Sequence, residues 1–195
     1  MKMVYVIIVG LVIACGLIYY FTTRKNSDAV DSKSTQRTIE SQENAYAGLR
    51  AQVFSSTPEQ IGLTTTTDEK PYAIVMDMGM GEDGTATLVS IIDGNASMYL
   101  SSGGGVIGGF AHETVRKASI DFVNMGQDYF TKMSPVDSFP LPKGDNVRFY
   151  ILTNKGKYSV EEKFEKIENE KSDWLQLFYE GNKVITELRM TTEQK

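Results

Sequence analysis

Between Met3 and Thr22 the chain runs for twenty residues, MVYVIIVGLVIACGLIYYFT, without one charged side chain, and Arg24 and Lys25 follow at once. A helix of that length covers about 30 Å, the thickness of a bilayer's hydrocarbon core, and bonds every backbone polar group internally. Residues 1–22 are therefore expected to form a transmembrane anchor, which makes the chain a single-pass protein of the cell membrane. Two other readings stay open. A cleaved signal peptide would have a shorter apolar core, roughly 7 to 15 residues. A lipoprotein signal is suggested by Val12, Ile13, Ala14 and Cys15, although Cys15 is followed by GLIYYF rather than by a polar tether. Gly10 and Ala14 stand four apart, a spacing that lets two such helices approach closely and offers a route to self-association.

Basic residues cluster after the run, at Arg24, Lys25, Lys33 and Arg37, against Lys2 alone before it. By the positive-inside rule the rest of the chain should face the cytoplasm. The only cysteine is Cys15, so the remainder holds no disulfide, which agrees with a reducing compartment. Residues 23–36 carry little apolar bulk and no periodicity and read as a flexible tether, whose coil dimension is about 20 Å. Residues 37–195 are then enough for one soluble domain with its own core. The formal net charge is -5 and no segment collects the cations that a phosphate backbone would need, so nucleic acid is not an expected partner.

The domain's apolar spacing switches between two periods. Residues 41–54 place Ala45, Leu49 and Val53 on one helical face with Tyr46 beside them. Thr57, Pro58 and Gln60 form a capping box for a short turn that Gly62 ends. Three strand-like runs follow, YAIVMDM, TATLVSII and ASMYLS. Asp93-Gly94-Asn95 is the hairpin between the last two. A long helix is expected over 112–132 from the spacing of Val115, Ala118, Phe122, Met125 and Tyr129. Two more strands are expected at 147–153 and around Tyr158 and Val160. A last helix should begin near Ser172 and gather Trp174, Leu177, Phe178, Ile185 and Leu188. The expected fold class is α+β, an antiparallel sheet of about five strands packed with helices, in an element order like that of profilin or roadblock-type domains.

Chemistry is most suggestive in SSGGGVIGGF, between the third strand and the long helix. Gly103, Gly105 and Gly108 satisfy G-x-G-x-x-G, and with Gly104, Gly109 and His112 they make a candidate ligand site at a helix start, where bare N–H groups suit a phosphorylated small molecule. The context is an antiparallel meander rather than a parallel strand–helix–strand unit, so a steric role competes: glycines carry the chain over the sheet edge, with Val106 and Ile107 turned inward and Phe110 packed at the helix entry. His112 is the only histidine and has Glu113 beside it. With one histidine and no cysteine, the domain offers no zinc site, and Asp77, Glu82 and Asp83 lack the spacing of a calcium loop. Ser101 and Ser102 lack a nucleophile elbow. No catalytic set, metal or cofactor is identified.

The stretch TLVSIIDGNASMYLSSGGGVIGG followed by HETVR resembles a family of uncharacterised bacterial domains with a similar glycine block between a hairpin and a helix. That resemblance implies no activity and no catalytic residues. It leaves a membrane-anchored, non-catalytic interaction or ligand-sensing domain as the expected function, with an enzyme or binding protein for a phosphorylated small molecule, and a lipoprotein held through Cys15, as the alternatives.

Overall fold

The computed structural model describes residues 45–63 and 67–193, all within the unit Ile39–Lys195. The expected anchor at 1–22, with Gly10, Ala14 and Cys15 in it, and the expected tether at 23–36 lie outside the described residues. Among the described residues no helix is long and apolar enough to cross a membrane.

The architecture is α+β. A helix that includes residues 45–55 (α1) precedes a short turn, Glu59–Ile61, closed by the capping box: Thr57 N–H donates to Gln60 Oε1 at 2.9 Å and Gln60 N–H to Thr57 Oγ1 at 3.4 Å. Strands β1 (Pro71–Gly79), β2 (Thr85–Ile91), β3 (Ala96–Leu100) and β4 (Gly105–Val106) form a meander. Helix α2 (Glu113–Met125) crosses to β5 (Ser134–Pro135), then β6 (Val147–Thr153) and β7 (Lys157–Glu162), and the chain ends in α3 (Phe164–Glu168) and α4 (Leu175–Glu193). The seven strands lie in the order β4-β3-β2-β1-β6-β7-β5 and every pairing is antiparallel.

The strand runs read from the sequence at 72–78, 85–92, 96–101 and 147–153 appear within a residue or two. The two strands beyond the expected five, β4 and β5, are two residues each. Their pairing is decided by what lies beside them, so no alternation could reveal them. The helix expected over 112–132 stops at Met125 and continues as two 3-10 turns, Gly126–Asp128 and Phe130–Lys132. Phe130 and Met133 are thereby still delivered to the core.

Central strand β1 is buried from Tyr72 to Asp77 and shows no polar-out alternation, because both faces of the sheet are covered. Ile74, Met76, Leu88, Phe149 and Ile151 point towards α2 and α4, where they meet Val115, Phe122, Leu177, Val184 and Leu188. Ala73, Val75, Val89, Tyr150 and Leu152 point the other way, towards Tyr46 and Phe54 of α1 and Phe139 of the β5–β6 connection. The buried stripe of α1 differs from the expected one. Ala45 is exposed and Leu49 and Val53 are half-buried, whereas Tyr46, Arg50 and Phe54 are buried. The helix is rotated because Arg50 finds an ion partner in the sheet, so the apolar count alone misjudged the face.

Candidate functional site

A polar row crosses the α1 face of the sheet. Strand register sets Gly105 against Tyr99, Tyr99 against Thr87, Thr87 against Asp77, Asp77 against Arg148 and Arg148 against Glu161. Asp77 is fully buried and is held from two sides. Arg50 donates through its Nη2 at 2.6 Å and its Nε at 3.2 Å to Asp77 Oδ2, while Thr87 Oγ1 donates to Oδ1 at 2.5 Å. Tyr46 hydroxyl lies 2.7 Å from Thr87 Oγ1; with the threonine proton committed to the carboxylate, the tyrosine donates. The remaining arm of Arg50 donates to the Phe139 carbonyl at 2.7 Å, and its guanidinium lies over the rings of Phe54 (4.8 Å) and Tyr150 (5.6 Å). One side chain therefore ties α1, the sheet and the 136–143 connection together.

Electrostatics follow from burial. Removal from water would lower the Arg50 pKa, but the hydrogen bonds and charge of Asp77 outweigh it and hold the guanidinium above its usual value. Burial pushes the phenols of Tyr46 and Tyr150 up, so both stay neutral donors. Neighbouring Arg148 is engaged elsewhere, with Glu161, which also accepts from Asn146 Nδ2 at 2.5 Å.

Two hollows flank α1. A cavity of about 430 Å³ is lined by Tyr46, Arg50, Phe54, Phe139 and Leu141 among others. The second, about 310 Å³, lies between Ala45, Tyr46 and Leu49 of α1, Tyr99 and Leu100 of β3, and Gly103, Gly104, Gly105 and Ile107 of the glycine block. The residues singled out from sequence thus separate. Gly103, Gly104 and Gly105 line the groove. Gly105 combines a φ of +153° with a close approach, since a Cβ there would sit 2.2 Å from the Met98 carbonyl oxygen; it is the glycine that lets β4 pair with β3. Gly108 is exposed, and Gly109 is buried where a Cβ would strike Val115 and Leu188.

His112 is exposed and stands at the start of α2, where its side chain makes no capping hydrogen bond; it does not line the groove. Ile107, expected to turn inward, is 66% exposed, and Phe110 is 47% exposed with the Arg116 guanidinium 4.7 Å from its ring centre. Val106 is half-buried against the core, as expected. Ser101 has a structural partner, since its Oγ accepts from Thr85 N–H at 2.8 Å. Asp77 belongs to Arg50, while Glu82 is exposed, and among the described residues no three His, Cys, Asp or Glu side chains are placed to hold a metal ion.

Sequence reasoning missed the Arg50–Asp77–Thr87–Tyr46 chain. Its signals were an arginine four residues after Tyr46 on a helix and a lone aspartate inside the apolar run YAIVMDM. The fold and this site define an α+β domain with an antiparallel sheet covered on both faces. No family model, no curated protein and no solved structure matches the chain.

Proposed function

We propose that the chain is a membrane-anchored, non-catalytic interaction or ligand-sensing domain. The observation that carries this reading is the uncharged run from Met3 to Thr22 joined to a folded domain whose second face is open at two apolar hollows beside α1. The buried charges of that face are paired, Arg50 with Asp77 and Arg148 with Glu161, which favours shape and apolar surface as the means of recognition. The likeness of element order to profilin or roadblock-type domains belongs to this reading, as does a cytoplasmic position for the domain. Retention of the intact chain in the membrane pellet after carbonate washing, with a stoichiometric partner recovered from detergent extracts, is the expected result. Release by carbonate rejects the anchor; repeated recovery of the chain alone rejects the interaction role. Protease protection in intact cells reads the facing side. Mass spectrometry of the mature amino terminus distinguishes a span from a lipid on Cys15.

A second reading is favoured by one observation, that Gly103, Gly104 and Gly105 line the smaller hollow. In it the Gly103–Gly109 block receives a phosphorylated small molecule. Calorimetric titration of the full chain in detergent with inorganic phosphate and nucleotides at millimolar concentration tests this reading, and no heat of binding rejects it.

A further inference from the structure

We propose that α1 and the 136–143 connection form one hinged cover over their face of the sheet, which lifts as a unit while the sheet, α2 and α4 stay folded. This goes beyond the anchored reading and needs neither a membrane nor a partner. The two pieces are fastened to each other. The Arg50 guanidinium donates to the Phe139 carbonyl at 2.7 Å, and the rings of Phe54 and Phe139 stack with centres 4.1 Å apart and planes 5° from parallel. Moving either piece alone breaks both contacts, whereas moving them together keeps both.

Their hold on the strands is of another kind. Side chains make the fastening hydrogen bonds: Arg50 to Asp77, Tyr46 to Thr87, the Tyr72 hydroxyl to the Ser56 carbonyl at 2.8 Å, the Tyr150 hydroxyl to the Pro140 carbonyl at 2.5 Å, and Glu161 Oε1 accepting from Lys143 N–H at 3.3 Å. Each of these groups returns to water when the cover lifts, so each contributes modestly, and the ion pair, which gives up hydration to close, comes near to breaking even. Apolar burial is left to hold the cover, and it is small. On α1 only Tyr46 and Phe54 are buried besides Arg50, and none of residues 136–143 is buried. On the other face α2 and α4 bury Val115, Phe122, Val123, Leu177, Val184 and Leu188 in one cluster, so the cover is the part of lower local stability.

The connection is pinned at its ends, where Val136 N–H donates to the Lys157 carbonyl at 2.8 Å and the Asn146 carbonyl accepts from Gly79 N–H at 2.9 Å. Between those points it can swing with the helix. Tyr46 lines both hollows, so lifting α1 joins them into one trough and uncovers Val75, Val89 and Tyr150 with the Asp77 carboxylate among them. The closed cover therefore gates most of the apolar surface on this face.

The test measures opening by thiol labelling of the full chain, with Cys15→Ala, in detergent under native conditions. Val75→Cys places a probe on the covered face at a fully buried position. Ser159→Cys places a second opposite Tyr150, at a serine 7% exposed whose hydroxyl has no hydrogen-bond partner among the described residues. Val184→Cys, on α4, reads the closed core. Labelling of the first two should agree within a few-fold, exceed that of Val184→Cys by about 100-fold or more, and depend less steeply on urea. Phe139→Ala should speed both about tenfold or more, although Val75 lies on another strand. Phe122→Ala weakens the closed and the lifted states alike, so it should leave both within a few-fold and speed Val184→Cys about 100-fold or more; Phe122→Leu replaces it if that chain does not fold. One rate at all three probes means that this face opens only by global unfolding and overturns the proposal. So does a Phe139→Ala effect confined to Ser159→Cys, the pattern of a connection that moves without the helix, and so does a Phe122 substitution that speeds Val75→Cys as much as Val184→Cys.

Discussion

The two faces of one sheet are built by different rules. Against α2 and α4 the interior is apolar apart from the buried hydroxyls of Ser90 and Ser119, and Gly181 lets α4 approach so closely that a Cβ there would sit 2.7 Å from Met76 Cε and 3.2 Å from Phe122 Cζ. Against α1 the interior is smaller, and its centre is an ion pair whose guanidinium is stacked on aromatic rings. Dispersion and burial hold the first face wherever side chains fit, whereas the second depends on the geometry of one buried charged pair and its hydrogen bonds. The first face is a closed core; the second holds its helix through one arginine and leaves hollows on either side of it.

The sharpest break of this comparison is to remove one element from each face. Phe122→Ala leaves a void in the closed core and should cost about 3–5 kcal/mol in urea unfolding. Asp77→Asn leaves Arg50 charged, buried and unpaired and should cost a similar amount, about 3–5 kcal/mol, for an electrostatic reason. The two are told apart by compensation. Arg50→Met combined with Asp77→Leu should recover more than half of the Asp77→Asn loss, since replacing a buried ion pair with apolar side chains is often neutral or stabilising. Failure to recover would mean that the pair itself stabilises the helix.

A smaller effect is expected from Tyr46→Phe, which removes one hydroxyl from the chain but leaves Thr87 donating to Asp77. The expected loss is about 0.5–1.5 kcal/mol by chemical unfolding.

The polar row also carries a pH signature at its β7 end. Burial would raise the Glu161 pKa, but hydrogen bonds from Asn146 and the Lys143 N–H, together with Arg148, bring it below the ordinary glutamate value of 4.5. A depressed folded-state pKa means stability that is present above the unfolded value and lost as pH falls through the folded one. Glu161→Gln should therefore lower stability at neutral pH and flatten the decline between about pH 5 and the acid limit, measured by urea unfolding at several pH values. An unchanged acid limb would remove Glu161 from the account. Least of all, Ile107→Asp should shift stability by no more than about 0.5 kcal/mol, because the side chain is already largely in water.

How much of this was legible depends on whether the signal was local. Val147–Thr153 could be read from a β-branched and aromatic run between turns, and Asp93-Gly94-Asn95 from the positive φ its glycine supplies, +95° in the structure. The end of α2 at Met125 was missed because the helical spacing of Val115, Ala118, Phe122 and Met125 runs on to Tyr129 beyond Gly126, and 3-10 turns serve that position equally well. Ile107 was expected inside on hydrophobicity alone. The close approach of Gly105 to β3 fixes where β4 ends and leaves the next residues outside. The glycine block and His112 looked like one site because they are adjacent in the chain, yet three glycines border the groove, one packs under α2 and α4, and the histidine lies apart.

Sequence alone determined the main elements, their order and most of their bounds, because periodicity, capping and turn chemistry act over a few neighbours. Only the tertiary structure decided which face of α1 turns inward, that Asp77 belongs to an arginine, and that the glycine block forms an edge strand with an exposed isoleucine after it. Those outcomes are set by partners distant in sequence, 27 positions in the case of Arg50 and Asp77. The energy of a buried charge depends on whether such a partner arrives, and no local pattern records that.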